Sequence, residues 1–170
     1  MASRLIVFSG LPGAGKSSIA CSLACELGAV WLRIDSIEQA IRQSGVLTGN
    51  IDDVGYRAAY AMAEDNLRIG LTVIADSVNP CIVTRNAWRD VGLRAGASVV
   101  EVEIICSDRQ EHRRRVETRA AEAPGLGYPD WEAVIGRNYQ PWDRGRVIID
   151  TAARSIAASG SLIRTELAKR

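Results

Sequence analysis

Lysine is almost missing from this chain. Of its 21 lysines and arginines only Lys16 and Lys169 are lysines. Arginine dominance can follow from base composition alone, but it leaves one internal lysine standing out. Histidine occurs once, at His112, and aromatic residues make up only 5% of the chain. No apolar run reaches the roughly 20 residues that a membrane-spanning helix needs. The opening MASRLIVFSG has an apolar stretch too short for a secretory leader, and no small-residue cleavage site follows. The chain therefore reads as cytoplasmic. Its four cysteines, Cys21, Cys25, Cys81 and Cys106, form no CxxC pair and no Cys/His cluster with zinc spacing. Cys21 and Cys25 lie four apart in an apolar stretch and are expected in the core. His112 lies among arginines and is expected to be exposed and uninvolved in chemistry. A net charge of +1 gives no basic coat for nucleic acid.

What is present is a regular alternation. The length, 170 residues, suits a single domain with one core, and 47% hydrophobic with 24% charged residues is ordinary for a globular chain. Leu5–Ser9, Ala29–Ile34, Leu71–Ala75, Ser98–Ile105 and Val147–Ile149 read as strands. Between and after them, Lys16–Leu27, Ser36–Gln43, Val54–Ile69, Thr84–Ala95, Asp108–Ala121, Asp130–Asn138 and Ser155–Ala168 read as helices. Gly28, Gly70 and Gly96 stand where helices end. Asp35 is placed to cap the second helix. Ser44–Asp53 and the Pro/Gly-rich Ala123–Pro129 read as loops. Such alternation predicts a parallel sheet of five strands with helices on both faces.

Between the first strand and first helix stands Gly10-Leu11-Pro12-Gly13-Ala14-Gly15-Lys16-Ser17, which satisfies G-x-x-x-x-G-K-[ST] at every fixed position. The chemistry explains the spelling. Glycines let backbone N–H groups converge on an anion without a Cβ in the way. The helix behind them adds its unpaired N-terminal N–H groups and its positive dipole end. Lys16 then reaches the β- and γ-phosphates, the Ser17 hydroxyl suits Mg²⁺, and Ser18 is a further donor. Gly10, Gly13, Ala14, Gly15, Lys16, Ser17 and Ser18 are thus the expected triphosphate contacts. The motif alone does not separate kinase, GTPase and ATPase. A guanine-reading N/TKxD needs a second internal lysine, and none exists. An ATPase of the motor kind needs more chain and an apolar strand ending in Asp-Glu, whereas Leu71–Ala75 runs into Asp76-Ser77.

The chain resembles the nucleoside-monophosphate-kinase-like branch of P-loop proteins. Within it the chain looks more closely like a "predicted kinase" group related to chloramphenicol phosphotransferase, adenylylsulfate kinase, shikimate and gluconate kinases and zeta toxins. The likeness rests on GLPGAGKSS, WLRIDSIEQAIR, VIADSVNP, EHRRRVETR and VIIDTA, and covers most of the chain. It implies a three-layer α/β/α P-loop NTPase fold, strand order 2-3-1-4-5, with a small lid near residues 120–130. It implies an ATP-dependent kinase, with Mg²⁺, that acts on a hydroxyl of a small metabolite or antibiotic. Asp35 would receive the hydroxyl proton, a role compatible with helix capping. Asp76 would hold Mg²⁺, bind the acceptor, or simply open a turn. Arg42, Tyr56, Asn79 and Arg85 are further acceptor candidates, with Arg33 and Arg57 behind them. Tyr56 and Tyr60, four apart, suit either a pocket or the core. Arg115 and Arg119 share a helix face, the first to stack on adenine and the second to bind phosphate, unless that helix is only a solvated charged face. Arg137 is another phosphate candidate. Trp131, Tyr139 and Trp142 are expected to pack the lid. Thr151 marks the adenine loop, with backbone contacts expected. The rival readings are a 5′-hydroxyl nucleic-acid kinase, disfavoured by the lack of a basic or aromatic strand-binding tract, and a nucleotide-binding toxin-like or regulatory module.

Overall fold

A strand is near-continuously apolar when both its faces are covered, and Leu5–Phe8 is such a run. In the computed structural model, which describes residues 3–46, 49–50, 53–122 and 128–169, this strand lies at the centre of the sheet. The strands are β1 (Arg4–Ser9), β2 (Val30–Arg33), β3 (Val73–Asp76), β4 (Ser98–Ile105) and β5 (Val147–Asp150). They pair in parallel in the order β2-β3-β1-β4-β5, which is the expected 2-3-1-4-5. The helices are α1 (Lys16–Leu27), α2 (Ile34–Gln43), α3 (Val54–Arg68), α4 (Ile82–Arg94), α5 (Arg109–Glu122), α6 (Trp131–Ile135) and α7 (Ile156–Ala168).

Side-chain alternation along β1 divides the core. Ile6 and Phe8 pack with Ile19, Leu23 and Ile163 of α1 and α7 on one face. Leu5 and Val7 pack with Ala63, Leu67, Trp88 and Val91 of α3 and α4 on the other. A third, small cluster joins Val116 of α5 to Trp131 and Val134 of α6, with Leu11 against it. Parallel pairing sets every strand's carboxyl end at one edge. There Phe8 is level with Asp76, and Arg33 is level with Asp76 as well.

Several boundaries differ from expectation, each for a local reason. β2 stops at Arg33 and Ile34 already begins α2, so Asp35 lies inside the first helical turn and Arg33 is the N-cap, with no side-chain cap bond. Asp35 therefore does not cap the helix, although its charge still suits the dipole there. β3 starts at Val73 and takes in Asp76. The helix expected over Asp130–Asn138 is only Trp131–Ile135, started by the Asp130 carboxylate, which accepts from the Ala133 N–H at 2.8 Å. On α1 the core side is Ile19, Ala20, Leu23 and Ala24, which leaves Cys21 half-buried and Cys25 exposed. Four-residue spacing identified a helical stripe correctly, but that stripe is the one beside the core. Residues 123–127 of the expected lid lie outside the described residues, as do 47–48 and 51–52 of the Ser44–Asp53 loop.

Two acceptor candidates turn out to be structural. Arg85 is 0% exposed. Its guanidinium donates to the carbonyls of Asn79, Pro80, Gln140 and Pro141 at 2.9–3.3 Å. The rings of Trp142 and Tyr139 cover it, at 4.1 and 5.0 Å from Cζ. Those two aromatics thus pack on Arg85. Asn79 is also fully buried, in a left-handed conformation with φ 51°, and its Nδ2 donates to Ser9 Oγ at 3.0 Å. Both residues pin the turn after β3, and neither reaches a cleft. Charge-assisted bonds from Arg85 offset the cost of burying its charge, and removing it would take the guanidinium donor from the Asn79, Gln140 and Pro141 carbonyls, while the Pro80 carbonyl keeps the Gln140 N–H. Arg85→Met is expected to lower unfolding free energy by about 3 kcal/mol, measured by urea unfolding. A change inside about 0.5 kcal/mol, the usual spread for inert surface substitutions, would contradict this clamp.

Candidate active site

The loop between β1 and α1 runs through left-handed glycines, with φ 137° at Gly10, 82° at Gly13 and 98° at Gly15. At Gly10 a Cβ would stand 2.1 Å from the Ile104 carbonyl oxygen, so only glycine fits. The Gly10 N–H donates to the Val78 carbonyl at 3.1 Å. This differs from the expected phosphate contact: Gly10 makes the turn and ties it to the turn that follows β3. Ala14 is buried, and Gly13, Gly15, Lys16, Ser17 and Ser18 line the opening.

Lys16 is buried and its Nζ donates to the Leu11 carbonyl at 2.9 Å. Burial lowers its pKa to about 8, against the opposing pull of Asp76 and Asp35. Asp76 is buried at the end of β3, and burial raises its pKa while Lys16 acts to lower it. Its Oδ2 has no hydrogen-bond partner among the described residues, and Ser17 is within hydrogen-bonding reach of the carboxylate. A buried, unpartnered carboxylate oxygen beside a hydroxyl is the kind of all-oxygen donor set that suits a hard divalent cation. Among the described residues no group of three or more His, Cys, Asp or Glu side chains could hold a metal unaided.

Two cavities meet at this loop, of about 570 Å³ and about 580 Å³. Lys16, Ser17, Arg33, Arg119 and Tyr128 line both and form their common wall. The first cavity extends past Ser18 to Arg115, Thr151 and Arg154. The second extends over Asp35, Glu38, Arg42, Tyr56, Asp76 and Arg137. Asp35 is about half exposed, and Arg33 and Arg119 approach its carboxylate at 3.7 Å each. Arg119 also lies 3.9 Å over the ring of Tyr128. Arg42 reaches the second cavity but is paired with Glu38 at 3.3 Å. Tyr56 lines the cavity and its hydroxyl accepts from the Asn79 N–H at 3.2 Å. Tyr60 instead packs edge-on to Trp88 in the core, with centroids 4.6 Å apart. Arg57 pairs with Asp53 on the surface.

Arg115 is held by three bonds: to Thr151 Oγ1 at 2.8 Å, to the Thr151 carbonyl at 3.0 Å and to Glu111 at 2.5 Å. The Thr151 hydroxyl lies 2.9 Å from the Ala14 carbonyl, so its side chain, beyond the expected backbone role, links α5 to the glycine loop. His112 departs from expectation. It is buried, its Nε2 lies 2.8 Å from the Pro12 carbonyl, and its ring meets Trp131 edge-on at 5.3 Å. The sequence pattern, a histidine among charges, carried no sign of this. Tyr128, Glu38 and Arg154 are site-lining residues that the sequence reading does not single out: Glu38 lies within WLRIDSIEQAIR without a role of its own, and Tyr128 and Arg154 reach the site through their place in the fold.

Fold and loop together define a P-loop NTPase domain. A family profile described as an AAA domain (AAA_33) matches residues 5–126, and the chain belongs to that family. Among solved structures it is similar to the APS kinase CysC of Mycobacterium tuberculosis, in complex with AMPPNP and APS. That match has 21% identity and TM-score 0.73, and covers 98% of each chain. It is similar to Kti12 of Chaetomium thermophilum in complex with ADP-AlF3, with 20% identity, TM-score 0.71, and coverage of 96% of this chain and 97% of that one. A gluconokinase of Sinorhizobium meliloti 1021 matches with 19% identity, TM-score 0.67, and 98% and 92% coverage. No curated protein sequence matches. At these identities the likeness establishes the fold. Among the described residues no helix is long and apolar enough to cross a membrane.

The buried lysine gives a pH test. Its pKa is near 8 in the folded chain and 10.5 when unfolded. Between those values the unfolded chain holds the extra proton, so this group makes stability rise with pH. The unfolding free energy of wild type minus that of Lys16→Met should therefore increase from pH 8 to 10.5, by up to about 3 kcal/mol. Denaturant unfolding at several pH values measures it. A flat or falling difference would mean that Lys16 is not desolvated as the structure has it.

Proposed function

We propose that this chain is an ATP-dependent phosphotransferase whose acceptor is a hydroxyl of a small molecule. The observation that carries the reading is the common wall. A lysine, a serine and two arginines stand between a cavity lined by the glycine loop and a second cavity that holds Asp35 and Asp76. A transferring phosphoryl group needs that arrangement, with cations around its oxygens and a carboxylate on the side of the incoming hydroxyl.

In this reading ATP lies in the first cavity. The amides of Gly13–Ser17 and the end of α1 hold its phosphates, and Arg115 offers its guanidinium plane to the base. Lys16 leaves the Leu11 carbonyl for the β- and γ-phosphates. Ser17 and Asp76 would hold Mg²⁺, which would neutralise phosphate charge. Arg33 and Arg119 stabilise charge on the transferring group. Asp35 orients the acceptor hydroxyl and takes its proton. Arg42, Glu38, Tyr56 and Arg137 contact the acceptor. Of the two arginines that line only the second cavity, Arg42 is paired with Glu38.

The test is ADP release with a panel of hydroxylated metabolites and antibiotics, followed by two substitutions assayed on the compound that responds. Lys16→Ala should lower turnover at least about 100-fold. Asp35→Asn should leave ATP affinity within about twofold while lowering kcat roughly 100-fold to 10,000-fold. Full turnover by both variants would overturn these roles. Unchanged turnover by Asp35→Asn alone would remove the base from the mechanism.

A further inference from the structure

A loop that aims its amide hydrogens at an anion turns its carbonyl oxygens the other way, and buried carbonyls need donors. In this loop the Leu11 carbonyl takes Lys16 Nζ and the Ala14 carbonyl takes the Thr151 hydroxyl. The Pro12 carbonyl, between them, takes His112 Nε2 at 2.8 Å across 100 residues of chain. A carbonyl can only accept, so Nε2 carries the proton in this contact. The ring has little freedom. It is 7% exposed, stands edge-on to Trp131 at 84°, and fills the space beside Gly13, where a Cβ would lie 3.2 Å from His112 Cδ2 and 2.5 Å from a Val116 methyl. Gly13 is thus needed for helix packing on the outer side of the loop as well as for its φ of 82°.

We propose that His112 is a positioning residue for nucleotide binding. It holds the Pro12 carbonyl outward and so keeps the neighbouring amides aimed at the triphosphate. Because it belongs to α5, it also fixes the distance between the loop and Arg115 and Arg119, one and two turns further along the same helix. The link through Arg115 and Thr151 to the Ala14 carbonyl is a second tie between the same two elements. Lys16 leaves its carbonyl when phosphate arrives, whereas the His112 contact has no competitor and persists in both states. The inference rests on the assignment of this loop as the triphosphate site.

The experiment is calorimetric titration with Mg²⁺-ATP, well below the melting temperature, of wild type, Lys16→Ala, His112→Phe and His112→Gln. Phenylalanine keeps a ring against Trp131 and loses the donor, while glutamine keeps a donor. His112→Phe should raise the Kd for ATP about 3- to 10-fold, the effect of losing one hydrogen bond that orients the site, and His112→Gln should stay within about twofold of wild type. A purely structural histidine would lower the melting temperature of His112→Phe and leave Kd unchanged, which would overturn the proposal. So would a glutamine variant as weak as the phenylalanine one. If Lys16→Ala binds ATP like wild type, the loop assignment itself fails. If only Lys16→Ala loses affinity, the assignment stands and His112 has no part in it. Should His112→Phe not fold, wild type decides alone. His112 is the only histidine, so one imidazole appears in a ¹⁵N-histidine spectrum. A proton on Nε2, protected from exchange with and without ATP, supports the contact, and an unprotonated Nε2 excludes it.

Discussion

The orientation of a few peptide planes controls the site. Amides that converge on one point require carbonyls that diverge from it, and in a buried loop each diverging carbonyl has to find a hydrogen. The glycines at 10, 13 and 15 permit the required φ values, but permission does not hold the loop in place. The holding groups come from elsewhere: the Val78 carbonyl for the Gly10 N–H, His112 for Pro12, and Thr151 for Ala14. Three elements distant in sequence, the β3 turn, α5 and the end of β5, therefore converge on six residues of backbone. The proposed chemistry depends on that convergence, because a preorganised donor array is worth more than one that has to be ordered by its ligand.

The parallel sheet supplies the rest of the geometry. All five strands end at one edge, so Ser9, Arg33, Asp76 and Thr151 are near one another although widely separated in the chain. The charge distribution along that edge is uneven. Among the described residues the lining of the first cavity carries arginines and Lys16 and no carboxylate, while Asp35, Glu38, Asp53 and Asp76 all line the second. Such a division matches a polyanion on one side and a hydroxyl needing a base on the other. The basic residues on the common wall belong to both. Arg119 pairs loosely with Asp35 at 3.7 Å and rests on Tyr128, contacts weak enough to exchange for phosphate oxygens.

Arginine has two uses here that the sequence does not distinguish. Arg115, Arg119 and Arg33 line the cavities, while Arg85, with an equal claim from its position after β3, is a fully buried clamp. Asn79 likewise lies in the turn where an acceptor contact was expected and is used to pin that turn on Ser9. Both misassignments share a cause. A turn at a strand's carboxyl end needs internal donors to hold it as much as it needs residues that face a ligand, and residue type alone serves either purpose.

The sequence by itself determined the alternation of strands and helices, the five-stranded parallel sheet and the position of the glycine loop. These follow from contiguous patterns: apolar runs, helical periodicity, and eight consecutive residues whose spacing carries its own physical reason. Tertiary structure alone decided which polar side chains face a cavity and which are used up inside. His112 could not be told from a surface histidine, nor Arg85 from a ligand arginine, because each is defined by a partner 55 or more positions away. Such contacts depend on which faces the helices turn toward the loop, and no local pattern records that orientation.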